Sequence, residues 1–212
     1  MKFKAVFFDI DGTLISVYSV TRCLKKAFEH FGVKVTSLKK MAHKSMGYKV
    51  EEIVQREFPE LKGKTKEFSS YYENFYVKNY KKYTKLLPFV KSIFRFLNKK
   101  KIKIGIITSK SRKTALVILK GFNLKYDVLV SSDDVKNRKP HSEPVLKACK
   151  LLGVKPEECI FFGDHSFDMK AAKAAECKAV GVLTGVVKRK ELKKSGADFI
   201  IKNLKEAKIL IE

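Results

Sequence analysis

Six short stretches of the chain are apolar at nearly every position. They are Ala5-Val6-Phe7-Phe8, Lys103-Ile104-Gly105-Ile106-Ile107, Val128-Leu129-Val130, Ile160-Phe161-Phe162, Ala179-Val180-Gly181-Val182 and Phe199-Ile200-Ile201. Runs of this length, rich in Val, Ile and Phe and lacking polar alternation, predict strands covered on both faces. Between them, apolar residues recur every three or four positions over residues 89–97, 114–122, 144–152 and 169–175. That spacing predicts amphipathic helices. Strand and helix alternating in this way predict an α/β protein built on a doubly wound parallel sheet.

Residues 16–85 break the rhythm. They contain no comparable strand run but show helix-like spacing over residues 20–31, 50–58 and 68–83. The segment therefore reads as a helical insertion between the first and second strands. The predicted division is a core of residues 1–15 and 86–212 and a helical cap of residues 16–85, with linkers near residues 14–18 and 85–88. Within the insertion Phe68, Tyr71, Tyr72, Phe75, Tyr76, Tyr80 and Tyr83 recur at helical spacing. Packing between the inserted helices explains them; stacking on a ligand is the alternative.

In an open parallel sheet ligands sit beyond the carboxyl ends of the strands, so the residues that close each run matter most. The first run closes in Asp9-Ile10-Asp11-Gly12-Thr13, the second in Thr108-Ser109-Lys110, and the run at 160–162 in Gly163-Asp164, with Asp168 four residues on. The loop before that last run carries Arg138-Lys139-Pro140. Carboxylates at the end of an apolar strand need a partner, and a divalent cation is one. A simple Asp-Gly turn or a helix cap would also account for Asp9 and Asp11 taken alone. The convergence of four acids, a hydroxyl and a lysine on one rim favours a reactive site.

Composition narrows the classes further. No run approaches ~18 apolar residues, so no membrane span is expected. The N-terminus enters a strand pattern without a charged-then-apolar leader, which predicts a cytoplasmic protein. Cys23, Cys149, Cys159 and Cys177 form no Cys-x-x-Cys pair and read as reduced, mostly buried thiols. The formal net charge of +24 raises the question of nucleic acid. However, the excess is spread evenly, +9 over residues 16–85 and +15 over the rest, and only six of the basic residues are arginines. A solvated lysine surface without a dedicated nucleic-acid site is the expectation, with some attraction for anionic substrates.

The four strand-end segments, taken in order, resemble the four motifs of the haloacid dehalogenase superfamily, in its phosphoglycolate phosphatase-like branch with a helical cap after the first motif. Asp9-Ile10-Asp11-Gly12-Thr13 matches the first motif, Thr108 the second, Lys139-Pro140 the third and Gly163-Asp164-His165-Ser166-Phe167-Asp168 the fourth. The likeness continues through residues 169–175 and Gly196-Ala197-Asp198. It covers the whole core, whereas the cap matches only in position and helical character.

The resemblance implies a Rossmann-like core and a Mg²⁺-dependent phosphatase acting on a small phosphate monoester, such as phosphoglycolate or a sugar phosphate. Asp9 would be the nucleophile, forming an aspartyl-phosphate, and Asp11 the proton donor to the departing alcohol. Asp9, the Asp11 carbonyl and Asp164 would ligate Mg²⁺, with Asp168 supporting them. Thr108 and Ser109 would bind phosphoryl oxygens, and Lys139 would offset negative charge. In the cap, residues 43–49 are the expected specificity segment, with Lys44 or Lys49 contacting a second anionic group of the substrate. His165 would approach the substrate or stay at the rim.

An acid two residues after the nucleophile sets phosphatases of this superfamily apart from its dehalogenases and phosphonatases. A sugar-phosphate mutase keeps both aspartates and is the alternative within the superfamily; a non-catalytic phospho-receiver is the alternative outside it. A monomer or a homodimer is expected. The chain departs from the family pattern at Ser16, where many relatives carry Asp-Ser, at Ser142, where proline is frequent, and at Glu176, where glycine is usual.

Overall fold

The computed structural model of the protein describes residues 3–45 and 47–212. All six predicted strands form: β1 (Ala5–Phe8), β2 (Lys103–Ile107), β3 (Val128–Val130), β4 (Cys159–Gly163), β5 (Lys178–Val182) and β6 (Phe199–Ile201). They make one sheet in the order β3-β2-β1-β4-β5-β6, and every pair is parallel. The order reverses direction at β1, between β2 and β4, which is where an open sheet of this kind presents its crevice.

Side chains alternate between two apolar layers because successive strand residues face opposite sides. Val6, Phe8, Ile104, Ile106, Ile160 and Phe162 point into one layer; Ala5, Phe7, Ile107, Cys159 and Phe161 point into the other. The first layer is closed by α5 (Val90–Lys99), α6 (Arg112–Gly121) and α10 (Ala207–Ile211), and the second by α7 (Glu143–Leu152), α8 (Ser166–Ala174) and α9 (Arg189–Lys194). Gly105 is needed where β2 passes β1, since a Cβ there would come within 2.5 Å of the Phe7 ring.

Four α-helices form within residues 16–85: α1 (Val17–His30), α2 (Leu38–Ser45), α3 (Val50–Glu57) and α4 (Thr65–Tyr83). Three match the helical spacing in the sequence. The spacing missed α2, which buries only Met41, Ala42 and Ser45 and so carries a weak apolar signature. Likewise α9 buries Leu192 alone. Ser16 caps α1 by accepting from the Tyr18 N–H. The two connecting segments run side by side: Leu87 N–H donates to the Leu14 carbonyl at 2.9 Å, and Ser16 N–H to that of Lys85 at 3.2 Å. The aromatic series on α4 is chiefly packing. Phe68 lies against Phe28 with ring centroids 4.5 Å apart, and Tyr71 stacks on His30 at 3.9 Å.

All four cysteines are buried and free. Burial pushes the Cys23 thiol up to about 12. Glu176 adopts a left-handed backbone with φ of 62°, the conformation that glycine takes without steric penalty. No helix among the described residues is long and apolar enough to cross a membrane.

Candidate active site

The sheet ladder delivers the first two groups. Asp9 N–H donates to the Phe162 carbonyl at 3.0 Å and Thr108 N–H to that of Val130 at 2.9 Å, so both residues extend their strands by one hydrogen-bonded position. Asp9, Asp11, Thr108, Ser109, Lys139, Asp164 and Asp168, seven residues singled out in the sequence, line one small cavity of about 30 Å³. Gly47, His165 and Phe167 complete it.

Lys139 is the hub. Its Nζ donates to Asp9 Oδ1 and Asp168 Oδ1, both at 2.7 Å, and to the Ile107 carbonyl at 3.2 Å. Burial alone would lower its pKa; the carboxylates of Asp168 and Asp9 overcome that and hold it above the ordinary lysine value. Asp168 is occupied on both oxygens, because Oδ2 accepts from the His165 N–H at 3.0 Å. The Asp168 side chain also caps α8, which fixes its rotamer.

One lysine does not neutralise this group. Carboxylate oxygens of Asp9, Asp164 and Asp168 lie within 4.8 Å of one another. Burial pushes the Asp9 carboxyl above its ordinary value, with Lys139 opposing and the charge of Asp168 adding to it. Asp164 is raised well above the usual range, first by burial and then by the charges of Asp168, Asp9 and Asp11. Its Oδ1 accepts from Thr13 Oγ1 at 3.3 Å, while its buried Oδ2 has no protein partner. Two glycines cradle this carboxylate: a Cβ on Gly12 would fall 2.2 Å, and one on Gly185 1.8 Å, from Oδ2. Thr184 Oγ1 donates to the Gly12 carbonyl at 2.5 Å and ties the two loops together. A surplus of buried negative charge around an unsatisfied oxygen suits a hard divalent cation.

On the other side of Asp11 a second cavity, of about 140 Å³, opens beneath the inserted helices. Six buried side-chain oxygens among the described residues lack a hydrogen-bond partner. Four of them, Asp11 Oδ1 and the hydroxyls of Ser45, Ser69 and Ser109, belong to residues that line this cavity. Buried hydroxyls left without partners are uncommon, and their clustering marks a place built for a polar guest.

The haloacid dehalogenase-like hydrolase family model matches residues 6–182. The chain belongs to this family. Among relatives, a pyrophosphatase PpaX from Bacillus mycoides is 31% identical over 97% of this chain and 95% of its own length. A phosphoglycolate phosphatase from Aquifex aeolicus is 28% identical over 87% of each chain. The structure of a hydrolase from Pseudomonas syringae superposes with a TM-score of 0.82 at 27% identity, covering 98% of this chain and 97% of that one.

The expected rim residues lie together, whereas the expected residues of the inserted helices are placed apart from one another. Residues 43–45 of the expected specificity segment end helix α2, and Met46 lies outside the described residues. Lys49 lines the second cavity. The ammonium of Lys44 is instead paired with Glu57 on α3. Gly47 packs on the Phe167 ring, and Tyr48 meets the same ring edge-on with centroids 5.3 Å apart. His165 lines the small cavity; its Nδ1 accepts from the Phe167 N–H, and burial holds its pKa down, to about 4.

Residues that sequence reasoning left without a role are Lys110, whose Nζ lies 3.1 Å from Asp11 Oδ2, and the Thr184–Gly185 pair. Lys110 was visible as the next residue of a strand end. Nothing local signals Gly185, because its neighbour Asp164 is brought there only by folding.

Proposed function

We propose that the protein is a Mg²⁺-dependent phosphatase of small phosphate monoesters, working through an aspartyl-phosphate. The observation that carries this reading is the sharing of Lys139 between Asp9 and Asp168 beside an unsatisfied Asp164 oxygen. Lys139 aims the Asp9 carboxylate and opposes the protonation that burial favours, as a nucleophile requires. Thr108 and Ser109 line the same cavity, and Thr108 and the Ser109 backbone take the transferring oxygens. Lys139 offsets the charge that builds on the phosphoryl group. Asp11, whose burial raises its carboxyl with Lys110 opposing and Asp9 adding, supplies the proton to the leaving oxygen.

Asp9, the Asp11 carbonyl and Asp164 would hold Mg²⁺. When bound, the ion neutralises the repulsion between an anionic nucleophile and an anionic substrate. Asp168, already committed to Lys139 and His165, orients this set from behind.

Residues 16–85 serve as the cap. Its contacts with the rim include Arg138 bonded through both terminal guanidinium nitrogens to Glu52, Tyr48 against Phe167, and Tyr76 beside Lys110. Lys49 and the unpartnered hydroxyls of Ser45 and Ser69 face the leaving group, which enters the 140 Å³ cavity. A cavity of that size admits roughly six heavy atoms, which suits a compact ester. The test is a screen of phosphorylated metabolites with Mg²⁺, following inorganic phosphate. Release that disappears in Asp9→Asn supports the reading. Hydrolysis near the native level in that variant contradicts it, and rearrangement of a phosphosugar without phosphate release points to a mutase.

A further inference from the structure

Asp11 projects two oxygens with different surroundings. Oδ2 lies 3.1 Å from Lys110 Nζ, whereas Oδ1 is buried with no protein partner. The Lys110 backbone is itself fixed: its N–H donates to Thr108 Oγ1 at 3.2 Å, and its carbonyl accepts from the Ser132 N–H at 3.0 Å. The side chain is only 7% exposed, and its ammonium sits 4.5 Å from the ring centroid of Tyr76 on α4. Tyr76 is in turn buried, with its hydroxyl 3.4 Å from Thr84 Oγ1.

Burying an ammonium is unfavourable unless a carboxylate faces it. Among the described residues Asp11 is the carboxylate with which Lys110 forms an ion pair. The face of an aromatic ring adds a smaller attraction. Such a buried pair is a poor source of stability compared with apolar packing of the same volume. Its geometric consequence is clearer: one oxygen of Asp11 is held, and the other is left free beside the cavity that Asp11 and Ser109 line.

We infer that Lys110 is a positioning residue for the proton transfer: it anchors Asp11 Oδ2 so that Oδ1 meets the ester oxygen, and Tyr76 of the inserted helix α4 steadies its ammonium. This rests on the phosphatase reading given above. In the first step an oxygen of Asp9 bonds to phosphorus and the phosphorus–ester oxygen bond breaks. The proton on Asp11 passes to that ester oxygen, leaving a neutral alcohol, an aspartyl-phosphate and an ionised Asp11. In the second step Asp11 takes a proton from a water whose oxygen bonds to phosphorus as the bond from phosphorus to the Asp9 oxygen breaks, which releases inorganic phosphate and restores ionised Asp9 and protonated Asp11. Because the ring comes from α4, Asp11 is fully aimed only while that helix is seated against the sheet.

Leaving-group dependence separates positioning from a structural role. An alkoxide needs a proton to leave; p-nitrophenolate does not. The ratio kcat/KM reports events up to formation of the aspartyl-phosphate, whereas kcat includes its hydrolysis, which all substrates share. In Lys110→Met, kcat/KM for glycerol phosphate should fall about tenfold to a hundredfold, the scale of a misaligned general acid. For p-nitrophenyl phosphate it should fall under about threefold, while kcat falls for both esters. Tyr76→Leu, which keeps an apolar side chain but removes the ring, should shift the same ratio in the same direction by a smaller factor, and serves if Lys110→Met does not fold. Equal losses of kcat/KM on the two esters, or an unchanged ratio in both variants, would overturn the inference. A native protein that hydrolyses neither ester would instead overturn the phosphatase reading and this inference with it.

Discussion

On the sheet rim both lysines are paired with carboxylates, and the oxygens left without a protein partner are Asp11 Oδ1 and Asp164 Oδ2. Lys139 is shared at 2.7 Å between Asp9 and Asp168, Lys110 faces Asp11, and Asp168 also receives the His165 N–H. The inserted helices present the same space with groups that are not committed, the hydroxyls of Ser45 and Ser69, while Lys44 is paired with Glu57. The rim is thus organised before any substrate arrives, as electrostatic catalysis requires. If the rim carries the chemistry and the inserted helices the selectivity, as proposed above, substitutions on these two walls should fail in different ways.

The rim should be the more sensitive wall. Gly185→Ala places a methyl group within 1.8 Å of Asp164 Oδ2, so either Asp164 or the loop must move. We expect kcat to fall at least about a hundredfold, in line with the loss of a preorganised group, and the Mg²⁺ concentration for half-activity to rise. Steady-state rates across a Mg²⁺ titration check this, and native-like kinetics would show that the cradle is dispensable.

On the other wall, Arg138→Ala removes the bond between the rim loop and Glu52 on α3. The pair is partly exposed, with the two side chains retaining 25% and 35% of their accessible surface, so its worth is modest. KM should rise roughly two- to fivefold with kcat little changed, the opposite division from Gly185→Ala. A kcat loss without a KM change would erase the contrast between the walls.

Two smaller effects concern stability. His165 is partly buried at the N-terminus of α8, and its desolvation holds its pKa down, to about 4. The unfolded chain, with an ordinary value near 6.5, therefore binds a proton first as pH falls. The stability associated with neutral His165 is complete above about pH 6.5 and is lost progressively toward pH 4. In thermal melts over that window, His165→Asn should flatten the decline, and a decline of undiminished slope would assign it to other groups. Last, Glu176→Gly relieves a left-handed backbone at the end of α8 and should stabilise the fold by about 0.5–1 kcal/mol with kcat unchanged. Destabilisation on denaturant unfolding would show that the Glu176 side chain contributes more than its backbone loses.

The comparison also explains what could be read from the sequence. The strands were legible because β1, β2 and β4 are buried on both faces and carry uninterrupted apolar runs. The rim was legible because its acids immediately follow those runs. Glu176 was flagged as standing where glycine is usual, and its φ of 62° gives the physical reason. What was not legible depends on distant neighbours. The bond from Thr184 to Gly12 spans 172 positions, and Lys110 acquires its meaning only from Asp11 and from Tyr76. The hydroxyls of Ser45 and Ser69 are ordinary helix residues until α2 and α4 are packed over the rim. Lys44 seemed a candidate for substrate by its charge, but Glu57 on the neighbouring helix is within its reach.

The central claim is that Asp9 becomes phosphorylated during turnover. The direct measurement is mass spectrometry of the protein quenched in acid while it hydrolyses a phosphate ester with Mg²⁺, followed by peptide mapping. The account predicts one phosphoryl group on the peptide containing Asp9, absent from Asp9→Asn and lost on standing at neutral pH. Phosphate release with the label on another residue, or at native rates from Asp9→Asn, would contradict it.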